Sequence, residues 1–514
     1  MKTRKLVSAL LCILIVLMMP VTALAAGGEN VSMLIVGGTQ ITAKGYYTNN
    51  AEGIWKKWTA LDKPSSGYIY YDGNFTLTLN GVDITGAPAT PNGAGIYVDG
   101  TRLTIAIKGV CSVSGVTDST GCSSAVYSTG NLVFSVTSTG TLNADGAQVT
   151  GDSGISYGIF AIGDITVSAG NLNVNGGLVT SQEGASFGVY SSDGSVTVKN
   201  GTLNARGGET ANALGGSFGV YSYDDVTVSG GTLTAEGGSV SSNMSASFGV
   251  YSYNNVLVDG GTLSTVGGAS GFESYGTAAN NNVTVNDGKL FATGGTVTGG
   301  MGASYGIRAG SKVTVYGGTV TASGGTAETD SYGICAVSTA VGSDQTAGAV
   351  LVVNGQYDGI LGDLRSNSNS LVLQNGSGRV SGSVSLNHDL LLPEDGTLTI
   401  PANASLTVPA GVTLIKDGTL INKGDLTING DIRHTGWQII DDVKYYYRDD
   451  GLMATDSWVE TNGKWYYLTE DGSMAASEWV EWMGKWYYFY STGIMAVNIT
   501  IDGYAINSNG VSVR

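Results

Sequence analysis

The sequence predicts an all-β protein whose main body is a parallel β-helix, a β-solenoid with a coil of about 30 residues. A phrase of a small residue, an aromatic and a glycine returns seven times, at Ser156, Ser186, Ser217, Ser247, Ser274, Ser304 and Ser331. A near-constant interval of this size marks a repeat architecture. Within one repeat, three short segments alternate their side chains: Phe218-Gly219-Val220-Tyr221, Val226-Thr227-Val228 and Thr232-Leu233-Thr234-Ala235. They are separated by Tyr223-Asp224-Asp225, Gly230-Gly231 and Gly237-Gly238. Alternation with period two is a strand signal and the Gly and Asp pairs are turn chemistry. Eighty glycines without a Gly-X-Y period exclude collagen, and seven prolines with 42% hydrophobic residues exclude a disordered linker.

In chain order, residues 1–26 read as a secretory signal peptide. Lys2, Arg4 and Lys5 precede an apolar run from Leu10 to Met19, and Ala23-Leu24-Ala25 supplies small residues for cleavage. No later stretch has the roughly 20 apolar residues of a membrane span. Residues 27–93 are expected to cap the solenoid and begin its first coils, and residues 94–340 to form the regular β-helix. From 341 to 434 the strand phrases follow one another more closely, as in Leu398-Thr399-Ile400 and Leu406-Thr407-Val408, so a tapering end is expected.

Stacking at about 4.8 Å would align Phe187, Phe218, Phe248, Tyr275, Tyr305 and Tyr332 as one inward aromatic column. Val196, Val226, Val256, Val283 and Val313 with Leu203, Leu233 and Leu263 would complete the core. One coil cannot bury these residues alone; its neighbours must. Strict alternation then turns Tyr190, Tyr221 and Tyr251 outward, where they would form a platform for stacking sugar rings unless the rings hide one another's faces.

The formal charge of −17 becomes about −20 without the leader, and a surface so acidic excludes nucleic acid, whose binding needs clustered Lys and Arg. Cys111 and Cys122 stand close enough in sequence to close a short loop in an oxidising compartment, leaving Cys335 over. No chemistry is assigned to them. Asp164, Asp193, Asp225 and Asn255 recur at one turn, where their backbone preferences suffice as a reason. Carboxylates on adjacent coils could hold Ca²⁺ through oxygen ligands, as in polysaccharide lyases that resemble this fold, but the turn chemistry accounts for them and the basic catalytic residue of those lyases is missing, so no metal site, cofactor or catalytic residue is assigned.

The opening segment, the Gly-Ile-Tyr and Gly-Val-Tyr coils and the tail from Leu398 to Leu414 resemble β-helix modules of surface proteins from Gram-positive bacteria. That resemblance implies a carbohydrate-binding β-helix. A second, shorter repeat runs from 435 to 514. Its copies carry Trp437, Trp458 and Trp479, then the clusters Tyr445-Tyr446-Tyr447, Trp465-Tyr466-Tyr467 and Trp486-Tyr487-Tyr488, then Met453-Ala454, Met474-Ala475 and Met495-Ala496. This pattern is similar to the choline-binding or cell-wall-binding repeats, and implies a short β-hairpin solenoid with ligand held between consecutive hairpins. Carried over, the ligand-binding residues are Trp437, Tyr446, Trp458, Trp465, Tyr466, Trp479, Trp486 and Tyr487. Two departures are read: the first copy has Val443 where the others place Gly463 or Gly484 and Tyr445 where they place Trp, and the closing segment Ile499 to Arg514 has only Tyr504 and no Trp.

The expected function is that of a non-enzymatic, secreted cell-surface protein. Its repeats would hold it to a wall polymer, either choline-substituted teichoic acid or a glycan, and its β-helix would meet a polysaccharide or a host surface. The alternative is a secreted polysaccharide lyase or glycoside hydrolase with the repeats as a targeting module, but isolated acidic residues supply no acid/base pair.

Overall fold

The computed structural model describes residues 31–514 apart from 51–52, 151–153, 212–214, 301, 344–347, 357–358, 441–442, 449 and 514. The expected signal peptide therefore lies outside the described residues. Among these residues one 3-10 turn, Pro91–Gly93, interrupts an otherwise all-strand succession, and no helix is long and apolar enough to cross a membrane. The chain divides into two compact units, Met1–Val384 and Ser385–Arg514.

The first unit is a parallel β-solenoid. Ser217–Ser222 lies between Ala185–Ser191 and Ala246–Ser252, Val226–Val228 follows Val196–Val198, and Thr232–Glu236 follows Thr202–Arg206, all parallel. Register joins equivalent residues: Phe187 to Phe218 to Phe248, Val196 to Val226 to Val256, Leu203 to Leu233 to Leu263. The columns expected from the period are thus the columns observed.

Their facing differs from expectation. The interior of the coil is filled by Val189, Val220 and Val250 with the Val196 and Leu203 columns, all fully buried. Phe187, Phe218, Phe248 and Tyr275 instead join Tyr221 and Tyr251 in a second, separate cluster. Glycine is the reason. The ladder steps from Phe218 to Val220 and omits Gly219, so Phe218 and Val220 do not share a face as simple alternation demands. At Gly219 a Cβ would stand 2.6 Å from the Glu236 amide nitrogen and 2.7 Å from the Gly249 carbonyl oxygen, a close approach only glycine permits.

The outward tyrosine platform is corrected by the same geometry. Tyr221 and Tyr251 are only 4% and 5% exposed, and Tyr190 is half-buried against the same cluster. Their rings meet each other and the Phe column: Tyr190 to Tyr221 at 4.7 Å, Tyr221 to Tyr251 at 5.1 Å and Phe218 to Tyr221 at 5.5 Å between centroids. Burial pushes the Tyr190 phenol up to about 12 and raises that of Tyr221 as well. Tyr190, Tyr221 and Tyr251 form a structural cluster rather than an open face.

The serine of the repeated phrase ties one coil to the next. Ser217 Oγ donates to the Gly208 carbonyl at 2.7 Å and accepts from the Gly238 amide at 2.8 Å. Ser186 does the same with Gly177 and Gly208, Ser247 with Gly238 and Gly268, and Ser304 with Gly295 and Gly325. Each glycine that donates to one serine accepts from the next, so the hydrogen bonds run as a relay along the stack.

The turn columns are also rearranged. Ser195, not Asp193, stands between Asp164 and Asp225, since Val196 pairs with both Ile165 and Val226. Asp164 and Asp225 use a carboxylate oxygen on the Ser195 and Asn255 backbone amides. Cys111 is buried in the interior, burial raises its thiol pKa, and Cys111, Cys122 and Cys335 form no disulfide.

Antiparallel strands close the start of the solenoid: Val31–Val36 runs against Ile96–Gly100, and Tyr68–Tyr71 against Thr76–Asn80. They cover what would be an open sheet end. At the far end of this unit Ser370–Gln374 turns back on Ser377–Ser381.

The second unit begins with short parallel strands whose coils shrink. Leu390 pairs with Leu414, Leu398 with Leu420, Leu406 with Leu426 and Leu414 with Ile432, each partner closer in sequence than the one before. The segment 341–434 is divided by the unit boundary. Its last strands are fastened to the hairpins that follow, because Asp417 accepts from the Thr435 amide and hydroxyl, both at 2.6 Å.

Replacing Ser217 by Ala leaves the Gly208 carbonyl and the Gly238 amide without this partner, and a buried group so orphaned costs about 1–3 kcal/mol. Ser217→Ala is therefore expected to lower the urea midpoint of the solenoid. An unchanged midpoint would show that the relay does not hold the coils.

Candidate functional site

The candidate site is the stack of hairpins after residue 434. Gly436–Ile440 pairs with Val443–Tyr447, Ser457–Thr461 with Lys464–Leu468, Glu478–Trp482 with Lys485–Phe489, and Ile499–Ile501 with Tyr504–Ile506. The turns Asn462-Gly463, Met483-Gly484 and Asp502-Gly503 have positive φ at both residues, the combination that two-residue hairpins of the right twist require. The Gly-x-Met-Ala phrase has a packing reason. Gly472 and Gly493 have φ of 84° and 81°, and a Cβ there would meet Met453 and Met474 of the preceding copy within 2.6 and 2.2 Å.

Backbone bonds fix which residues correspond between copies. The Ala454, Ala475 and Ala496 amides donate to the carbonyls of Tyr446, Tyr467 and Tyr488, and Met474 and Met495 donate to Lys444 and Trp465. Cross-strand pairs agree: Ile439 faces Lys444, Glu460 faces Trp465 and Glu481 faces Trp486. The sequence alignment of the first copy is therefore corrected by one residue. Lys444, not Tyr445, stands where the other copies place Trp465 and Trp486, and Val443 matches Lys464 and Lys485 rather than a glycine. The run of three tyrosines in a copy without the second Trp conceals this shift.

Each opening tryptophan joins a ring of its own hairpin to a ring of the next. Trp437 lies 5.2 Å from Tyr446 and 4.9 Å from Tyr466. Trp458 lies 5.3 Å from Tyr467, 6.2 Å from Trp465 and 4.8 Å from Tyr487. Trp479 lies 5.3 Å from Tyr488 and 5.7 Å from Tyr504. The expected residues Trp437, Tyr446 and Tyr466 are thus brought together, as are Trp458, Trp465 and Tyr487. Trp486 shares a strand face with Tyr488 and Trp479 by alternation and cross-strand pairing.

Exposure separates the roles of these rings. Trp465 and Trp486 are 41% and 47% exposed, while Tyr467, Tyr487 and Phe489 are buried. The buried rings form the hairpin core and the exposed indoles offer faces to a ligand. Beside those indoles stand carboxylates, Glu460 opposite Trp465 and Glu481 opposite Trp486. The Trp479 indole N–H also donates to Asp502 at 3.3 Å. Indole faces and neighbouring carboxylates together favour a cation, an attraction of about 0.5–2 kcal/mol per ring. The first interval instead presents the Lys444 ammonium.

Trp482, which touches Trp458, falls outside the repeated phrase and was missed in the sequence, whereas Tyr504, the lone aromatic of the closing segment, is the ring that meets Trp479. Tyr467 and Tyr488 were missed although they occupy the position of Tyr446 in the later copies.

Comparison with known proteins places this segment. Residues 434–479 match the choline-binding repeat and residues 477–495 match the cell wall binding repeat. The choline-binding domain of Spr1274 from Streptococcus pneumoniae is 50% identical over 16% of this chain and 95% of that domain. The chain belongs to the choline-binding repeat family. Identity rather than superposition ties it to that domain, the TM-score being 0.15. Choline-binding protein F of the same organism, solved in the presence of a peptidoglycan analogue, is 46% identical over 16% of this chain and 26% of its own length, with a TM-score of 0.15. The modular autolysin LytC, also from Streptococcus pneumoniae, is 28% identical over 16% of this chain and 23% of its own, with a TM-score of 0.13. The chain thus spans about a quarter of the length of these two relatives. No curated protein sequence matches it.

Within the choline-binding repeats, Tyr467 donates a hydrogen bond to Asp456, and burial together with that carboxylate pushes its phenol up to about 12. Because the folded pKa is raised above the ordinary 10, the stability linked to this proton is complete below pH 10. It is lost as pH climbs through about 12. Tyr467→Phe is expected to remove one late phenolate step from the ultraviolet absorbance titration and to weaken the pH dependence of stability between those two values. An unaltered titration would place the late step elsewhere.

Proposed function

We propose that this protein is attached non-covalently to the cell wall through choline groups held between its C-terminal hairpins, and that its solenoid is a non-catalytic module for glycan binding or adhesion. The observation that carries the attachment is the exposed Trp465 indole, set 6.2 Å from Trp458 and opposite Glu460, with the buried Tyr487 backing Trp458 from the next hairpin. A quaternary ammonium has no hydrogen to donate, so ring faces and a nearby carboxylate are what can hold it. The close sequence identity to a choline-binding domain supports the same ligand.

Lys444 sets the number of sites. The interval after the first hairpin has an ammonium where the next two have indoles, which repels a cation and removes a ring face. Two competent intervals remain, around Trp465 and Trp486, and two weak sites on one chain bind a choline-bearing polymer with an avidity that neither has alone.

The non-catalytic reading is supported by the use made of the solenoid's acidic turns. Asp164 and Asp225 are spent on backbone amides, Asp224 binds Ser195 and Asn254, and Glu236 faces Arg206 at 3.9 Å. These carboxylates hold coils together.

Full-length protein is expected to sediment with choline-bearing cell walls and to be released by millimolar choline. Trp465→Ala and Trp486→Ala, which each delete a ring face, are each expected to weaken choline binding by roughly 2- to 30-fold. Together they should abolish wall retention. Calorimetry should count two choline molecules per chain, rising to three in Lys444→Trp. Retention that survives the double variant and ignores choline would redirect the attachment to wall glycan. On the same walls, and on neutral or acidic polysaccharides, no new reducing ends are expected; their release by the purified protein would overturn the non-catalytic reading.

A further inference from the structure

One face of the solenoid carries a feature that the wall-binding hairpins do not use. An open groove of about 500 Å³ is lined by Asp193, Tyr223, Asp224, Tyr253, Asn254, Asn280 and Asn281. Tyr223 and Tyr253 project from consecutive coils, each just beyond a buried tyrosine, Tyr221 or Tyr251. Their rings are parallel within 3° at 4.9 Å. Tyr223 is 42% exposed, while Tyr253 is anchored against the aromatic cluster beneath.

Register shows why the pair stands at an opening. Ser191 pairs with Ser222, and Ser252 with Ala279, so the positions flanking the two tyrosines along the stack are Ser192 on one side and Asn280 on the other. Ala279 pairs in turn with Ala309, which brings Gly310 into the next position. The tyrosine column is thus two rings long, bounded by short side chains, and its outer ring faces are not continued by further aromatics. Each ring covers one face of the other and leaves the opposite face toward a small neighbour.

The polar groups around the pair are held in place. Asp224 accepts from Ser195 Oγ at 3.2 Å and from the Asn254 amide at 3.0 Å, and the Asn281 side chain donates to Asn254. Tyr251 donates to Asn280 at 3.1 Å from below. The exposed Asp193 stands at the rim. The groove therefore combines fixed aromatic rings with amides that donate and accept and carboxylates that accept. Lys and Arg are missing from this lining.

We propose that this groove binds a neutral polysaccharide lying along the stack, one pyranose ring stacking on an outer face of the Tyr253–Tyr223 pair while hydroxyls of successive sugars bond to Asp193, Asp224, Asn254 and Asn281. A pyranose presents weakly positive C–H groups on its face, which suit the negative face of a phenol ring, and hydroxyls at its edge that both donate and accept. Asp193 and Asp224 would repel a uronate, sulfate or phosphate, and the lining holds no cation to offset that. The few convergent polar groups around an aromatic surface are what gives such a site its orientation. This assignment rests on the glycan-binding reading of the solenoid and locates it.

The test uses the full-length protein in saturating choline, which occupies the hairpins, and follows its retardation in gels containing mixed-linkage β-glucan, galactomannan, pullulan or polygalacturonate. At least one of the three neutral polymers should retard it, and polygalacturonate should not. Tyr223→Ala/Tyr253→Ala is expected to abolish the retardation, and its thermal midpoint and far-ultraviolet dichroism report whether the coil survives. Asp193→Ala alters an exposed rim residue without touching the ring pair, and is expected to weaken binding about tenfold by removing one charge-assisted hydrogen bond. Normal retardation of both folded variants would overturn the groove while leaving glycan binding by the solenoid standing. Absence of retardation by any polymer would overturn both. Retention by polygalacturonate alone, or loss of retention on raising choline further, would assign the groove to a different ligand and overturn the proposal.

Discussion

Coil-to-coil register is the constraint on which the solenoid depends. A parallel strand has no turn to fix its partner, and a slip by one residue would exchange its two faces. Here the buried serine of each coil prevents that slip. Ser186, Ser217 and Ser247 each join a glycine carbonyl of their own coil to a glycine amide of the next, and both bonds fit only when the coils are in phase. With the phase set, the valine and leucine columns close the interior and the Phe and Tyr columns close a second cluster outside it.

The period makes the columns legible in the sequence, because equivalent residues must stack whatever direction they face. Direction is less legible. Alternation assigns Phe218 to the interior and Tyr221 to solvent, but the ladder omits Gly219 and the two rings lie together on the far side of Val220. Glycine's lack of a Cβ, visible in the sequence only as part of a motif, acts here as a break in the two-residue count. The same omission hides the groove: once Tyr221 is buried, the exposed ring of that turn is Tyr223, which the sequence presents as part of a separator.

In the hairpins the repeat is legible and its phase is not. Three consecutive tyrosines in the first copy can be laid on Trp-Tyr-Tyr in two ways, and only the backbone bonds from the Met-Ala residues choose between them. The choice changes chemistry, since it replaces an aromatic by the Lys444 ammonium. It also divides labour among the rings. Tyr467, Tyr487 and Phe489 give a small hairpin the buried area it needs, and the indoles of Trp465 and Trp486 are left with a free face.

The relay of serines and glycines has a consequence for how such a chain can change over generations. Excising Phe218 through Ser247 would join Ser217 to Phe248, restoring the same phrase. Ser217 would keep the Gly208 carbonyl and receive the Gly268 amide in place of that of Gly238. Duplicating the same stretch would add a coil on identical terms. The antiparallel strands at the start and the hairpin at the close of the unit are unaffected by either event, so recombination between near-identical segments can lengthen or shorten the gene product in whole-coil steps. Selection can then adjust reach without having to rebuild a core.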